Sequence, residues 1–216
     1  MYSGASMIYA YVGAKGGVGN TVTALLAANS AKRAGRDVVL VDLTGDFGVV
    51  LGTAPDLPGI AEWTAAEELS LGAASALAVD VAPGVSLLPR GSGDIDHARL
   101  GTLWSLLAGK PRVNIVDAGR GPEALEQVAG QRVRRLLTMT CCYQALHRAR
   151  QVVAEVDDVI VLTDTQRALG LADIEAALGR HADAVVAVDR SISRWADAGL
   201  LLDRCAKSAR SLDVFL

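Results

Sequence analysis

The sequence predicts an α/β protein whose doubly wound, mostly parallel sheet is covered by helices on both faces. Three observations lead there. Apolar runs of strand length alternate along the chain with stretches whose apolar residues recur at helical spacing. The composition, 51% hydrophobic but only 4% aromatic over 216 residues, suits near-continuous aliphatic strands buried between Ala-rich helices. The segments richest in chemistry-bearing residues each fall where an apolar run ends, which is where open parallel sheets bind ligands. A chain of this length, with a mean hydropathy of +0.30, can bury a substantial core. With no linker, repeat or low-complexity tract, residues 1–216 read as a single domain.

The first candidate strand is the apolar run Met7 to Val12, after a frayed start at residues 1–6. It leads through Val12-Gly-Ala-Lys-Gly-Gly-Val-Gly-Asn-Thr21 into Thr21-Val-Thr-Ala-Leu-Leu-Ala-Ala-Asn29, whose periodicity predicts a helix over 21–34. Asp37-Val-Val-Leu-Val-Asp42 reads as a second, fully buried strand, followed beyond a Gly/Pro-rich loop at 52–59 by a helix over 59–66. Further strands are predicted at 85–88, within a Gly/Pro-rich stretch at 83–93, and at 112–117, 134–139, 158–163 and 184–188. Helices at 95–108, 122–129, 142–153, 168–178 and 192–210 separate or follow them. Such alternation joins parallel strands by right-handed crossovers.

The Gly-rich segment between the first strand and helix has the design of a phosphate cradle. At a strand-to-helix turn, successive backbone N–H groups and the positive end of the helix dipole converge on an anion. Here the N–H groups belong to Gly16, Gly17, Val18, Gly19, Asn20 and Thr21. The glycines let the backbone approach phosphate oxygens closely, and the Thr21 hydroxyl is placed for Mg²⁺. A strict G-x-x-x-x-G-K-[ST] pattern fails twice, at Ala14 and at Asn20.

Lys15-Gly-Gly-Val-Gly-Asn-Thr21 nevertheless resembles the deviant Walker A loop of the ParA/MinD family of P-loop ATPases, whose signature lysine precedes the glycines. The resemblance implies that Lys15 reaches across a nucleotide-sandwich dimer to the partner's phosphates. It extends to two more segments. Asp37 to Asp46 is similar to the family's second Walker segment, usually Asp-x-Asp. Asp42 matches that pattern, whereas Thr44 stands where the carboxylate that positions the attacking water is implied. Asp46 lies two residues on, which moves a carboxylate by about 6 Å along an extended chain. Arg112-Val-Asn-Ile-Val-Asp117-Ala-Gly119-Arg120-Gly121 resembles a Walker B strand and switch loop. There Asp117 is implied to hold the Mg²⁺ shell through water and the Gly119 N–H to face a γ-phosphate. Base recognition is thinner: the family's adenine-contacting Asn has no counterpart in Val161-Leu-Thr-Asp164-Thr165, and base identity rests on the resemblance alone.

The remaining features point to ordinary surface and core roles. Cys141, Cys142 and Cys205 have no metal spacing and read as small core residues, and His97, His147 and His181 as surface or helix positions. A net charge of −3 argues against wholesale coating of nucleic acid. Arg132, Arg134, Arg135, Arg148 and Arg150 form a local basic cluster, read as solvated strand and helix edges in preference to a non-specific DNA patch. Near the C-terminal end, Leu201, Cys205, Leu212, Phe215 and Leu216 share one helical face and Asp203, Arg204, Lys207 and Arg210 the other. Packing of this segment on the domain is favoured over contact with a membrane surface, because no dense cationic run lines its polar side. No apolar stretch approaches the ~18 residues of a membrane span. No charged leader precedes an apolar signal core, so the expected location is the cytoplasm.

The combined expectation is a ParA/MinD-like protein that binds ATP or ADP with Mg²⁺ weakly and hydrolyses poorly. It would act as a spatial organiser or positioning switch through a nucleotide-dependent homodimer and a protein partner or cargo. Lys15, Asp42 and Asp117 are the implied catalytic groups, with Thr21, Asp42 and Asp117 around the metal. Two alternatives stand beside it: a slow ATPase of chromosome or plasmid partitioning, and a nucleotide-free scaffold such as a TadZ-like localisation factor.

Overall fold

Alternation along the first strand, β1 (Ile8–Gly13), sets up both faces of the molecule. Ile8, Ala10 and Val12 enter one apolar core while Tyr11 enters the other, as the two-residue period of a strand requires. The computed structural model describes residues 7–130, 132–204 and 206–215. The other strands are β2 (Val38–Asp42), β3 (Val79–Ala82), β4 (Val85–Leu88), β5 (Val113–Arg120), β6 (Val133–Thr140), β7 (Asp158–Thr163) and β8 (Ala184–Ala187). Together they form one eight-stranded sheet in the order β3-β4-β2-β5-β1-β6-β7-β8. Every neighbouring pair is parallel except the antiparallel β3–β4 edge.

The helices are α1 (Asn20–Arg33), α2 (Asp46–Leu51), α3 (Ile60–Ala65), α4 (Leu71–Leu77), α5 (Leu100–Leu107), α6 (Gly121–Gln127), α7 (Tyr143–Val152), α8 (Leu171–Leu178), α9 (Arg190–Asp197), α10 (Leu201–Arg204) and α11 (Ala206–Ala209). Single 3₁₀ turns occupy 97–99 and 153–155, and a longer one 210–215. Side chains of α3 to α8 build the core on one face of the sheet, and those of α1, α2 and the C-terminal helices build the core on the other. All five residues of β2 are buried, which is why its sequence shows an unbroken apolar run.

α1 is the most enclosed helix. Ala24, Leu25, Ala27, Ala28 and Ala31 are fully buried, because the C-terminal segment covers the side of α1 that the sheet does not. Asn29 Nδ2 donates to the Leu202 carbonyl at 2.6 Å, Lys32 pairs with Asp203 at 3.1 Å, and Ser30 Oγ donates to Asp213.

The predicted doubly wound sheet is present, with differences at particular elements. The expected helix over 192–210 is broken into α9, α10, α11 and the start of the 210–215 turn. Gly199, at φ +69°, takes the left-handed conformation that ends α9, and its N–H returns to the Ala196 carbonyl. Strand β3 and the short helices α2 and α4 were not anticipated. Leu201, Leu212 and Phe215 are all buried against the domain, in line with the favoured packing of the C-terminal segment. Cys205 and Leu216 lie outside the described residues. His97, His147 and His181 are on the surface, and Cys141 is a core residue. In the basic cluster, Arg134 forms a two-pronged pair with Asp158 at 2.5 and 2.7 Å, and Arg135 faces Asp157 at 3.7 Å.

Candidate nucleotide site

Parallel register brings three strand ends side by side. Tyr11 of β1 and Asp42 of β2 are both Cα partners of Asp117 in β5. The loop leaving β1 therefore runs directly over Asp117 before α1 begins. Gly19 precedes α1 at φ +84°, a conformation a side chain would disfavour, and no acidic residue occupies the helix's first turn. The helix thus presents unneutralised N–H groups to the space above the loop.

Asp117 is 1% exposed and gathers donors from three directions. Thr21 Oγ1 donates to its Oδ2 at 2.5 Å, while Asn20 Nδ2 and the Gly119 N–H donate to Oδ1 at 2.8 and 3.2 Å. Burial pushes this carboxyl up to about 6, with the Asp42 charge adding to the shift, although the Thr21, Gly119 and Asn20 bonds pull it down. Asn20 Nδ2 also reaches the Tyr11 carbonyl at 3.0 Å and the Gly119 carbonyl at 3.4 Å. The side chain at position 20 is thus turned inward and ties the loop to β1 and β5.

Asp42 is also buried, at 1% exposure, and its oxygens are occupied differently. Oδ1 accepts from the Thr44 N–H and hydroxyl, both at 3.1 Å, and from the Gly45 N–H at 2.7 Å; Oδ2 accepts from the Gly48 N–H at 3.1 Å. Burial raises this carboxyl above its ordinary range, with the four bonds opposing that rise. The cluster closes the turn into α2.

A cavity of about 430 Å³ opens above the loop, walled by Lys15 to Val22, Thr44, Asp46, Asp117, Gly119 and Arg120. Lys15 Nζ donates to the Gly16 carbonyl at 2.9 Å. A second cavity of about 250 Å³ lies on the other side of Gly17–Gly19, between Val22, Leu162, Val186 and Ile192, with Asp164 and Asp189 also on its wall. The arrangement offers an anion cradle beside an apolar cleft.

No profile of a known protein family matches the chain, and no curated protein matches it. Solved structures do. The ParA family ATPase of Chlorobium tepidum TLS superposes with a TM-score of 0.80 over 98% of this chain and 97% of its own, at 20% identity. The septum site-determining protein MinD of Pyrococcus horikoshii OT3, solved with Mg-ADP, gives 0.79 over 97% and 93% at 19% identity. Apo McdA of Cyanothece gives 0.73 over 96% and 98% at 12% identity. The fold is that of the ParA/MinD P-loop ATPases.

On this ParA/MinD fold the structure brings Lys15, the loop N–H groups, Thr21 and Asp117 together around one cavity. It places two other expected groups differently. Asp42, expected near the metal, does not line the cavity, because the turn into α2 takes up its oxygens. The Gly119 N–H, expected to face a phosphate, is turned back to Asp117. Two residues of these cavities carry no role in the sequence expectation. Arg120 stands on the cavity wall, signalled only by its place between two glycines at the end of β5. Asp189 reaches the second cavity from the end of β8, where the run Val185 to Val188 meets a carboxylate. Cys142, expected to be a small core residue like Cys141, is instead only half-buried and heads α7, its Sγ accepting from the Ala145 N–H at 3.4 Å. Burial pushes the Cys142 thiol up, but its bonds to Thr140 and Ala145 and the charges of Lys15 and Arg167 outweigh that and hold it below the ordinary thiol range.

Proposed function

We propose that this chain is a nucleotide-binding positioning switch of the ParA/MinD kind, in which ATP binding is weakened and hydrolysis impaired. The observation that carries the reading is the inward-turned Asn20 amide, donating to Asp117 where the strict loop pattern has a lysine. Loss of one charged hydrogen bond to phosphate weakens binding by about 1.5–3 kcal/mol.

The residues present fit Mg²⁺ and a triphosphate. The Thr21 hydroxyl and the Asp117 carboxylate meet at the mouth of the loop, an all-oxygen donor pair suited to a hard cation shared with phosphate oxygens. Bound there, the cation would neutralise charge on the phosphates. The loop N–H groups hold phosphate oxygens, and Lys15, beside the opening, reaches for the phosphates of a second copy. Hydrolysis suffers because Thr44 brings no carboxylate to orient water and Asn20 brings no charge. ATP or ADP state would then set the affinity for a protein partner or cargo. MinD of Aquifex aeolicus has been solved in a MinC:MinD complex, which supports a protein partner of this general kind. Among the described residues no helix is long and apolar enough to cross a membrane.

A slow ATPase is the second reading, favoured by the retained Lys15, Thr21 and Asp117 around a single cavity. Calorimetry with Mg-ATP and Mg-ADP, run beside a phosphate-release assay, separates the possibilities. The switch reading expects measurable, weak binding and release near background. Sustained release abolished by Asp117→Ala would establish the slow ATPase instead, and no binding of either nucleotide would leave a scaffold.

A further inference from the structure

We propose that Arg120 supplies the phosphate-binding charge that Asn20 lacks, so that the cation of the loop has moved to the end of the Walker B strand. This rests on the reading of the Gly-rich loop as a triphosphate site. Among the described residues that wall the 430 Å³ cavity, Lys15 and Arg120 are the only two cations. Lys15 turns its ammonium to a backbone carbonyl of the loop itself, at 2.9 Å.

Arg120 is held where such a charge is useful. It is the last residue of β5, paired in register with Gly13 at the start of the loop, so its backbone is anchored in the sheet beside the cradle. Its guanidinium then lies directly on Gly16. A Cβ built at position 16 would come within 2.4 Å of Arg120 Nη1, so the contact depends on the absence of a side chain there. Among the described residues, the Arg120 side chain makes no hydrogen bond or ion pair, and it is exposed to the cavity side of the molecule. Its N–H donors are therefore available, in a planar fork that matches two phosphate oxygens at once. An ammonium at position 20 would approach phosphate from the helix side of the cradle, whereas a guanidinium on Gly16 approaches from the switch side. Either neutralises the same charge.

The test is calorimetric titration of Mg-ATP into the full chain and five variants, single Asn20→Lys among them, each checked for folding by circular dichroism. Arg120→Ala is expected to weaken ATP binding on the order of ten- to hundredfold, while Arg120→Lys, keeping the charge but losing the fork, retains part of it. Gly16→Ala, which displaces the guanidinium, should weaken binding in the same direction. Asn20→Lys combined with Arg120→Ala should recover the loss, since the charge returns by the other route. If the wild-type chain binds ATP and Arg120→Ala binds it equally well or more tightly, Arg120 is a bystander or an obstruction and the assignment is wrong while the site reading stands. If neither the wild type nor Asn20→Lys binds ATP at millimolar concentration, the site reading fails and the assignment goes with it.

Discussion

At position 20, the amide nitrogen of Asn20 bonds to Asp117 Oδ1 and to the Tyr11 and Gly119 carbonyls, all of them on the strands beneath the loop. Replacing it by lysine exchanges those bonds for an ammonium at the helix end of the cradle. Asn20→Lys is therefore expected to tighten Mg-ATP binding by about ten- to hundredfold, the equivalent of one charged hydrogen bond. Equal affinities of variant and wild type in calorimetry would show that this position does not limit binding. The change from lysine to Asn20 was legible in the sequence, but the destination of its amide was not, because the partners are 9 and 97 residues away and meet only through the register of β1 and β5. Arg120 escaped for a similar reason: that it lies on Gly16 depends on the pairing of its strand with β1. Asp117 gives a second test. Its folded value, about 6, lies above its ordinary 3.8. Between about pH 4 and pH 6 the folded chain thus holds a proton that the unfolded chain has released, and raising pH through that window destabilises the fold. Asp117→Asn cannot ionise, so its stability relative to wild type should climb by about 2–3 kcal/mol across the window and level off above it. Urea unfolding of metal-free protein at a series of pH values measures that slope; a flat difference would mean that the buried carboxyl is not shifted.

The strands around the site were readable because burial on both faces leaves an apolar run with no polar interruption, as in Val38 to Val41. Edge strand β3 has only four residues and carries Asp80 in its middle, too short and mixed a pattern to stand out from the adjoining Pro83-Gly84 turn. Helices α2 and α4, of six and seven residues, are shorter than two helical periods and leave no periodic signature. The C-terminal segment is the most consequential difference at this scale. Its apolar residues were legible as one face, but Gly199 and the breaks that follow fold that face around α1 instead of presenting a single amphipathic helix. Phe215 is 4% exposed, with the Arg134 guanidinium 5.5 Å from the centre of its ring. Phe215→Ala should therefore destabilise the fold by about 3 kcal/mol, the ordinary result of emptying a buried aromatic site. A loss below about 0.5 kcal/mol, the range of surface substitutions, would mean that the segment is released from α1 in solution.

For the whole molecule, the sheet order places β1 at the centre and so puts the loop, Asp117 and the switch segment on one edge of the fold, with Lys15 at the opening. A neighbouring cavity of about 490 Å³ continues from Lys15 and Arg120 to Arg148 of α7, so that, among the described residues, the rim beside the proposed nucleotide site carries three cations against the single carboxylate of Glu123. Two triphosphates brought face to face across a two-fold axis would concentrate negative charge, and a rim of this sign is what offsets it. Screening by salt acts over about 8–10 Å, so the attraction matters only once the two copies are nearly in contact. A non-hydrolysable ATP analogue with Mg²⁺ is accordingly expected to convert monomer to dimer, and Lys15→Ala to prevent this without loss of fold. Among the described residues, Lys15 makes its hydrogen bond only to the next residue's carbonyl, so removing it takes little from the monomer's own stability. Arg120→Ala should behave differently, weakening dimerisation in proportion to the nucleotide affinity it removes, so that saturating analogue restores the dimer. Sedimentation velocity of wild type, Lys15→Ala and Arg120→Ala over a range of analogue concentrations distinguishes the two roles. A wild-type chain that stays monomeric at saturating nucleotide would remove the switch mechanism and leave a nucleotide-binding monomer.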